Sequence, residues 1–248
     1  MTYFHSTLFI LHILFGTAAL ILFWVPLFTE KGKLNHVKFG RYYKNTMYTV
    51  AGSGALMALM VLAAPLVIRA GMISENTDLD NLAYRLRVFW SFLFYLSILS
   101  FTGTRHAVAV LKVKDKRAEL RTFSYLTPIL LLIIGAPILF YIGFVNNITL
   151  HMVFSVLGLF VGVSMLKYCL KKQVKPRQWI VEHITATIGS GIGAYTAFVA
   201  FGGRTLLSDL GDWQLLFWIA PGVIGSIASA ILCKKYKGVF NVRAQASA

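Results

Sequence analysis

His12 and His151 are imidazoles set inside long apolar stretches. An ionisable group in that setting costs free energy and is a candidate for chemistry. Both stand in one pattern, Leu11-His12-Ile13-Leu14-Phe15 and Leu150-His151-Met152-Val153-Phe154. Gly16 and Ser155 follow four residues later, so each imidazole has a small residue on its own helix face. A flat macrocycle needs such space beside an axial ligand, so the pair is a candidate for bis-imidazole ligation of haem b. The plain alternative is a structural histidine satisfied by one hydrogen bond.

Three more histidines form a second group. His36 precedes Gly40-Arg41-Tyr42-Tyr43, His106 follows Arg105, and His183 follows Glu182. His106 and His183 are candidates for a second haem, with Arg41, Arg105 or Arg121 holding propionates through charge-assisted hydrogen bonds. In the other reading His36, His106, His183 and Glu182 bind a divalent metal such as zinc, for which imidazole and carboxylate are suitable ligands. The structural alternative is a set of headgroup-level anchors. His5 reads as a surface residue at the membrane edge. GxxxxGK[ST], HExxH and GxSxG are absent from the sequence, so these residues carry no phosphate-loop, zincin or serine-hydrolase signature.

The elements that position these residues are membrane helices. Of 248 residues, 57% are hydrophobic and 13% charged, against about a quarter charged in soluble domains. Lipid must therefore solvate much of the chain. Seven stretches reach the roughly 20 apolar residues that a span needs: about 6–28, 46–68, 88–110, 123–145, 148–170, 181–202 and 213–233. The net charge of +15 resides in short loops and reads as lipid-headgroup contact, not nucleic-acid binding. Lys31 to Lys44, Lys112 to Arg121, Lys171 to Arg177 and Lys234 to Arg243 are basic, and the intervening loops are mixed or uncharged. Basic loops stay cytoplasmic, which predicts an all-α seven-helix bundle with its N-terminus outside and C-terminus inside. The expected location is a bacterial inner membrane.

The order also predicts an internal repeat. Gly52-Ser53-Gly54 lies 40 residues after His12, and Gly189-Ser190-Gly191 lies 38 after His151. One membrane domain is expected, with a 3+1+3 parallel repeat: repeat one at 6–110, a linker helix at 123–145, repeat two at 148–233, and a disordered tail at 241–248. The glycines read as close-packing patches. Trp24, Trp90, Trp179, Trp213 and Trp218 read mostly as interfacial anchors, and Pro65, Pro128, Pro137 and Pro221 as possible kinks.

His12-xxx-Gly16, Lys33-xx-His36-xxx-Gly40-Arg41-x-Tyr43 and Met47 resemble an uncharacterised family of bacterial polytopic membrane proteins. That family is distantly similar to di-haem cytochrome b561 and ferric reductase-like bundles. The resemblance covers about the first 60 residues, and Val37 departs from it where a basic residue is preferred. It implies a membrane protein and no particular activity; the two layers of histidines give the first expectation, haem-based electron transfer to a redox partner. The 3+1+3 topology is also similar to that of SWEET sugar transporters, which implies a small solute. A metal-dependent membrane enzyme is the third expectation.

Overall fold

The computed structural model describes residues 2–199 and 214–245 and contains no strand among them. The helices are α1 (Thr2–Phe28), α2 (Leu34–Ala63), the short α3 (Pro65–Ile68), α4 (Leu79–Val113), α5 (Phe123–Val145), α6 (Thr149–Leu170), α7 (Gln178–Ala197) and α8 (Gln214–Gln245). Single-turn 3-10 helices lie at Ala70–Met72 and Arg117–Leu120. Among the described residues five helices, α1, α2, α4, α5 and α6, are long and apolar enough to cross a membrane. Many of their large apolar side chains are exposed, among them Leu14, Ile21, Ile134, Phe144 and Phe160. Such surfaces require lipid, so the chain reads as an integral membrane protein.

Several boundaries differ from those expected from apolar runs. Helix α2 starts at Leu34 rather than near 46, and α4 at Leu79 rather than near 88. These first turns carry Lys, Arg and Tyr, whose long side chains can reach the headgroup level while the backbone stays helical. Ala64 interrupts the expected 46–68 run, and Pro65 takes the first position of α3, where its missing N–H costs nothing. Helix α8 runs to Gln245, into the stretch expected to be unstructured; no proline interrupts it there. The segment 200–213, which holds Trp213 and the end of the sixth expected span, lies outside the described residues.

The chain divides into two compact units. Unit 1 comprises Met1–Thr17, Asn45–Thr102 and Thr122–Cys169; unit 2 comprises Ala18–Lys44, Gly103–Arg121 and Leu170–Ala248. The division does not follow the expected repeat boundaries, since each unit takes segments from both.

The core of unit 1 joins Leu8, Met57, Ala58, Val61, Ile68, Leu86 and Trp90. Trp90, an expected interfacial anchor, is thus a core residue. His5, expected at the surface, is buried edge-on against Trp90, with Arg69 5.0 Å from the indole centre. Its place in the first turns of α1 lets the ring cover the indole rather than meet water. Elsewhere in unit 1, Tyr95 lies across Gly135 of α5 and Gly158 of α6 and donates its hydroxyl to Leu132 O at 3.1 Å. Residues 146–148 link α5 to α6, with Asn147 in the left-handed region and Ile148 N–H returning to Gly143 O at 2.8 Å.

In unit 2 the α1–α2 turn uses Gly32 at φ 81°, a conformation open to glycine. Gly191 of α7 faces the Phe23 ring so closely that a Cβ there would overlap it. Gly225 of α8 meets Ile192 of α7 in the same manner.

Candidate functional site

The histidines divide three to each unit: His5, His12 and His151 in unit 1, and His36, His106 and His183 in unit 2. In unit 1, His12 Nδ1 lies 3.0 Å from Ser53 Oγ. Ser53 itself donates to Thr49 O at 2.7 Å, so His12 Nδ1–H is the donor to Ser53. The packing around this pair is tight, because a Cβ on Gly54 would stand 2.8 Å from Ser97 Oγ and 3.3 Å from His12 Cε1. His151 is 2% exposed, donates Nε2–H to Val88 O at 3.0 Å, and stacks on Phe92 with centroids 4.8 Å apart. Among the described residues no hydrogen bond or ring contact joins His12 to His151. Haem ligation at His151 would require breaking the Val88 bond or using Nδ1, and Phe92 already covers one imidazole face. As placed, each imidazole is engaged with its own neighbours rather than with the other.

Unit 2 brings together two different pairs from those expected. His36 and His183 face one another edge-on, with ring centroids 6.5 Å apart. His106, 1% exposed, has Nε2 3.6 Å from Glu182 Oε2. The four candidate metal ligands therefore split two and two. Among the described residues no group of three or more His, Cys, Asp or Glu side chains is arranged to hold a metal ion. A closed zinc site needs four ligands, so these residues do not fit one as placed.

The His36–His183 pair lines a cavity of about 140 Å³. Its walls come from the end of α1 (Phe23, Pro26, Leu27), the turn residue Lys31, α2 (His36, Gly40, Tyr43, Lys44), α4 (Thr104, Ala107, Val108), α7 (Ile180, His183, Ile184, Thr187, Ile188, Ser190) and α8 (Leu232, Tyr236). Arg41, Arg105 and Arg121, the candidate propionate partners, are not among the lining residues.

Each polar wall residue is positioned for a physical reason. The last carbonyls of a helix lack intrahelical partners. At the end of α1, Lys31 Nζ donates to Pro26 O at 2.7 Å, Leu27 O at 2.6 Å and Thr29 O at 3.2 Å. His36 Nδ1 donates to the same Pro26 carbonyl at 3.0 Å. His183 Nδ1 donates to Ala107 O at 2.8 Å. Ser190 donates to Thr187 O at 2.7 Å, so the Tyr43 hydroxyl, 2.8 Å away, donates to Ser190. Thr104 is 2% exposed and its hydroxyl has no hydrogen-bond partner among the described residues. Burial pulls the Lys31 ammonium below the ordinary lysine range, and the charge of Lys235 adds to the shift.

Lys31, Thr104, Tyr43 and Ser190 were not among the candidate site residues from sequence. Only Lys31 carried a usable signal: a lysine and a glycine directly after an apolar run read as a helix C-terminal cap. Replacing Lys31 by Met removes the donor to three carbonyls at a partly buried helix end and is expected to cost about 1 to 2 kcal/mol. Thermal unfolding of the detergent-solubilised variant measures that loss; an unchanged midpoint would show that water caps α1 equally well.

The chain matches no family model, no curated protein and no solved structure.

Proposed function

We propose that the protein is an integral-membrane carrier of a small solute, with its ligand site in the unit 2 cavity. The observation that carries this reading is the buried Thr104 hydroxyl, without a partner among the described residues, on the wall of a cavity that two histidines and two lysines also line. A buried polar group left unpaired costs about 1 to 3 kcal/mol, which a bound ligand would recover. In this reading the basic loops lie inside and the site belongs to the cytoplasmic side of a bacterial inner membrane, which the place of Lys31, Lys44 and Lys235 in basic segments supports.

Protein-mediated flux in proteoliposomes tests the reading. A panel of short neutral, anionic and cationic solutes is offered, and one class is expected to cross faster than in protein-free vesicles and to raise the thermal stability of the purified protein. A panel without flux or stabilisation overturns it. Haem-based electron transfer through His12 with His151 and His106 with His183 remains the second reading, supported by the three-and-three division of the histidines. It predicts a red preparation with a Soret band, and that result would displace the carrier.

A further inference from the structure

We propose that the cavity ligand is a small organic acid with an apolar body, bound together with its proton. The inference rests on the solute-site reading and names the class of solute.

The hydrogen-bond directions carry the argument. A carbonyl oxygen only accepts, so His36 and His183 must each hold hydrogen on Nδ1 to reach Pro26 O and Ala107 O. Each neutral ring then keeps its lone pair on Nε2, the nitrogen left for the cavity both residues line. Lys31 has three N–H donors and three carbonyl acceptors, so it contributes positive charge with no donor to spare. Tyr43 and Ser190 direct their hydrogens into the protein. On the cavity wall Thr104 offers a buried hydroxyl with no hydrogen-bond partner among the described residues.

These features select among ligands. A fixed cation meets Lys31 and Lys44, with no carboxylate among the described residues of the cavity wall. A fixed anion is attracted by that charge but meets two imidazole lone pairs. A protonated carboxylic acid satisfies both conditions. Its O–H bond breaks, an Nε2–H bond forms on one imidazole, and the pair becomes carboxylate and imidazolium with no other reactant. The Thr104 hydroxyl can then donate to the carboxylate, which also lies in the field of Lys31. The second imidazole stays neutral, since two imidazolium rings with centroids 6.5 Å apart repel. The titratable and charged groups facing the pair are Lys31, Tyr43 and Lys44 from the α1 turn and α2, and Tyr236 from α8; α4 presents only Thr104, Ala107 and Val108. The volume of about 140 Å³ is close to the roughly 150 Å³ of an engineered cavity that holds benzene, which limits the apolar body to a short chain.

Calorimetric titration of the full chain in detergent with sodium butyrate, against protein-free micelles, tests the proposal in two buffers of different ionisation enthalpy between pH 6 and 8. Uptake of about one proton per butyrate is expected, with the apparent affinity falling about tenfold per pH unit. Butyrate binding without proton uptake overturns the inference. Binding of butyramide in place of butyrate also overturns it, while leaving the solute site standing. Failure of both, with flux of neither, removes the solute-site reading as well. Thr104→Val is expected to weaken butyrate about tenfold with the same pH slope, and the double variant H36Q/H183Q to abolish the proton uptake. An affinity unchanged in Thr104→Val would place the ligand elsewhere and overturn the proposal.

Discussion

Replacing Gly158 with leucine is expected to prevent unit 1 from reaching its native packing. The side chain of Tyr95 already occupies the space that any Cβ at position 158 would need, and the same ring rests against Gly135 on α5. Its hydroxyl is fixed on Leu132 O, so the ring cannot swing aside without leaving a buried phenol unpaired. Overpacking a filled interior costs about 1 to 3 kcal/mol for modest insertions. Alanine at 158 falls in that range, and leucine exceeds it. Size-exclusion chromatography in detergent is expected to show G158L mostly aggregated and G158A monodisperse with a lowered unfolding midpoint. The combination Y95L/G158A should recover part of the loss, because removing the phenol vacates the site of the clash. Equal stability of G158A and the parent would show that the three helices do not meet as described.

Arg117→Met is expected to have the second largest effect. Arg117 is a buried cation in the 3-10 turn before α5, and its guanidinium donates to Lys171 O at 2.7 Å and Lys172 O at 3.4 Å, directly after α6 ends. Methionine keeps much of the length and apolar stem but leaves those carbonyls without this donor. Hydrogen bonds to a charged group are worth about 1.5 to 3 kcal/mol each net, and the shorter of the two sets a loss near that range. Hydrogen exchange should rise first in segment 171–177 and the start of α7. Arg117→Lys should restore only part of the protection, since an ammonium cannot reproduce the forked geometry. Parent-like exchange in R117M would assign the guanidinium no structural role.

The helices were legible where the apolar run was also the helix. The expected 123–145 and 148–170 match α5 and α6 within a residue. Helices α2 and α4 begin earlier than expected because helical geometry continues past the edge of the apolar run, and hydropathy marks the lipid boundary rather than the end of hydrogen bonding. The histidines were legible as a class, but their partners were not. Nothing along the chain joins His36 to His183 or leaves Glu182 for His106; those pairings arise from rotation of α2, α4 and α7 about their own axes. The Gly-Ser-Gly segments were read as packing patches, and in both the second glycine sits against an α1 side chain, His12 in one case and Phe23 in the other. Their serines had a further use that composition hides, as partners of His12 and Tyr43. Thr104 was invisible as a site residue because an isolated threonine in a helix usually bonds back to its own turn.

The link between α5 and α6 bears on how the protein is made. Three residues reach at most about 10 Å even when fully extended, roughly a third of the hydrocarbon thickness. Were both helices to span, the first turn of α6 would be held at the face where α5 ends, and the pair would be expected to insert as one hairpin rather than as two separate helices.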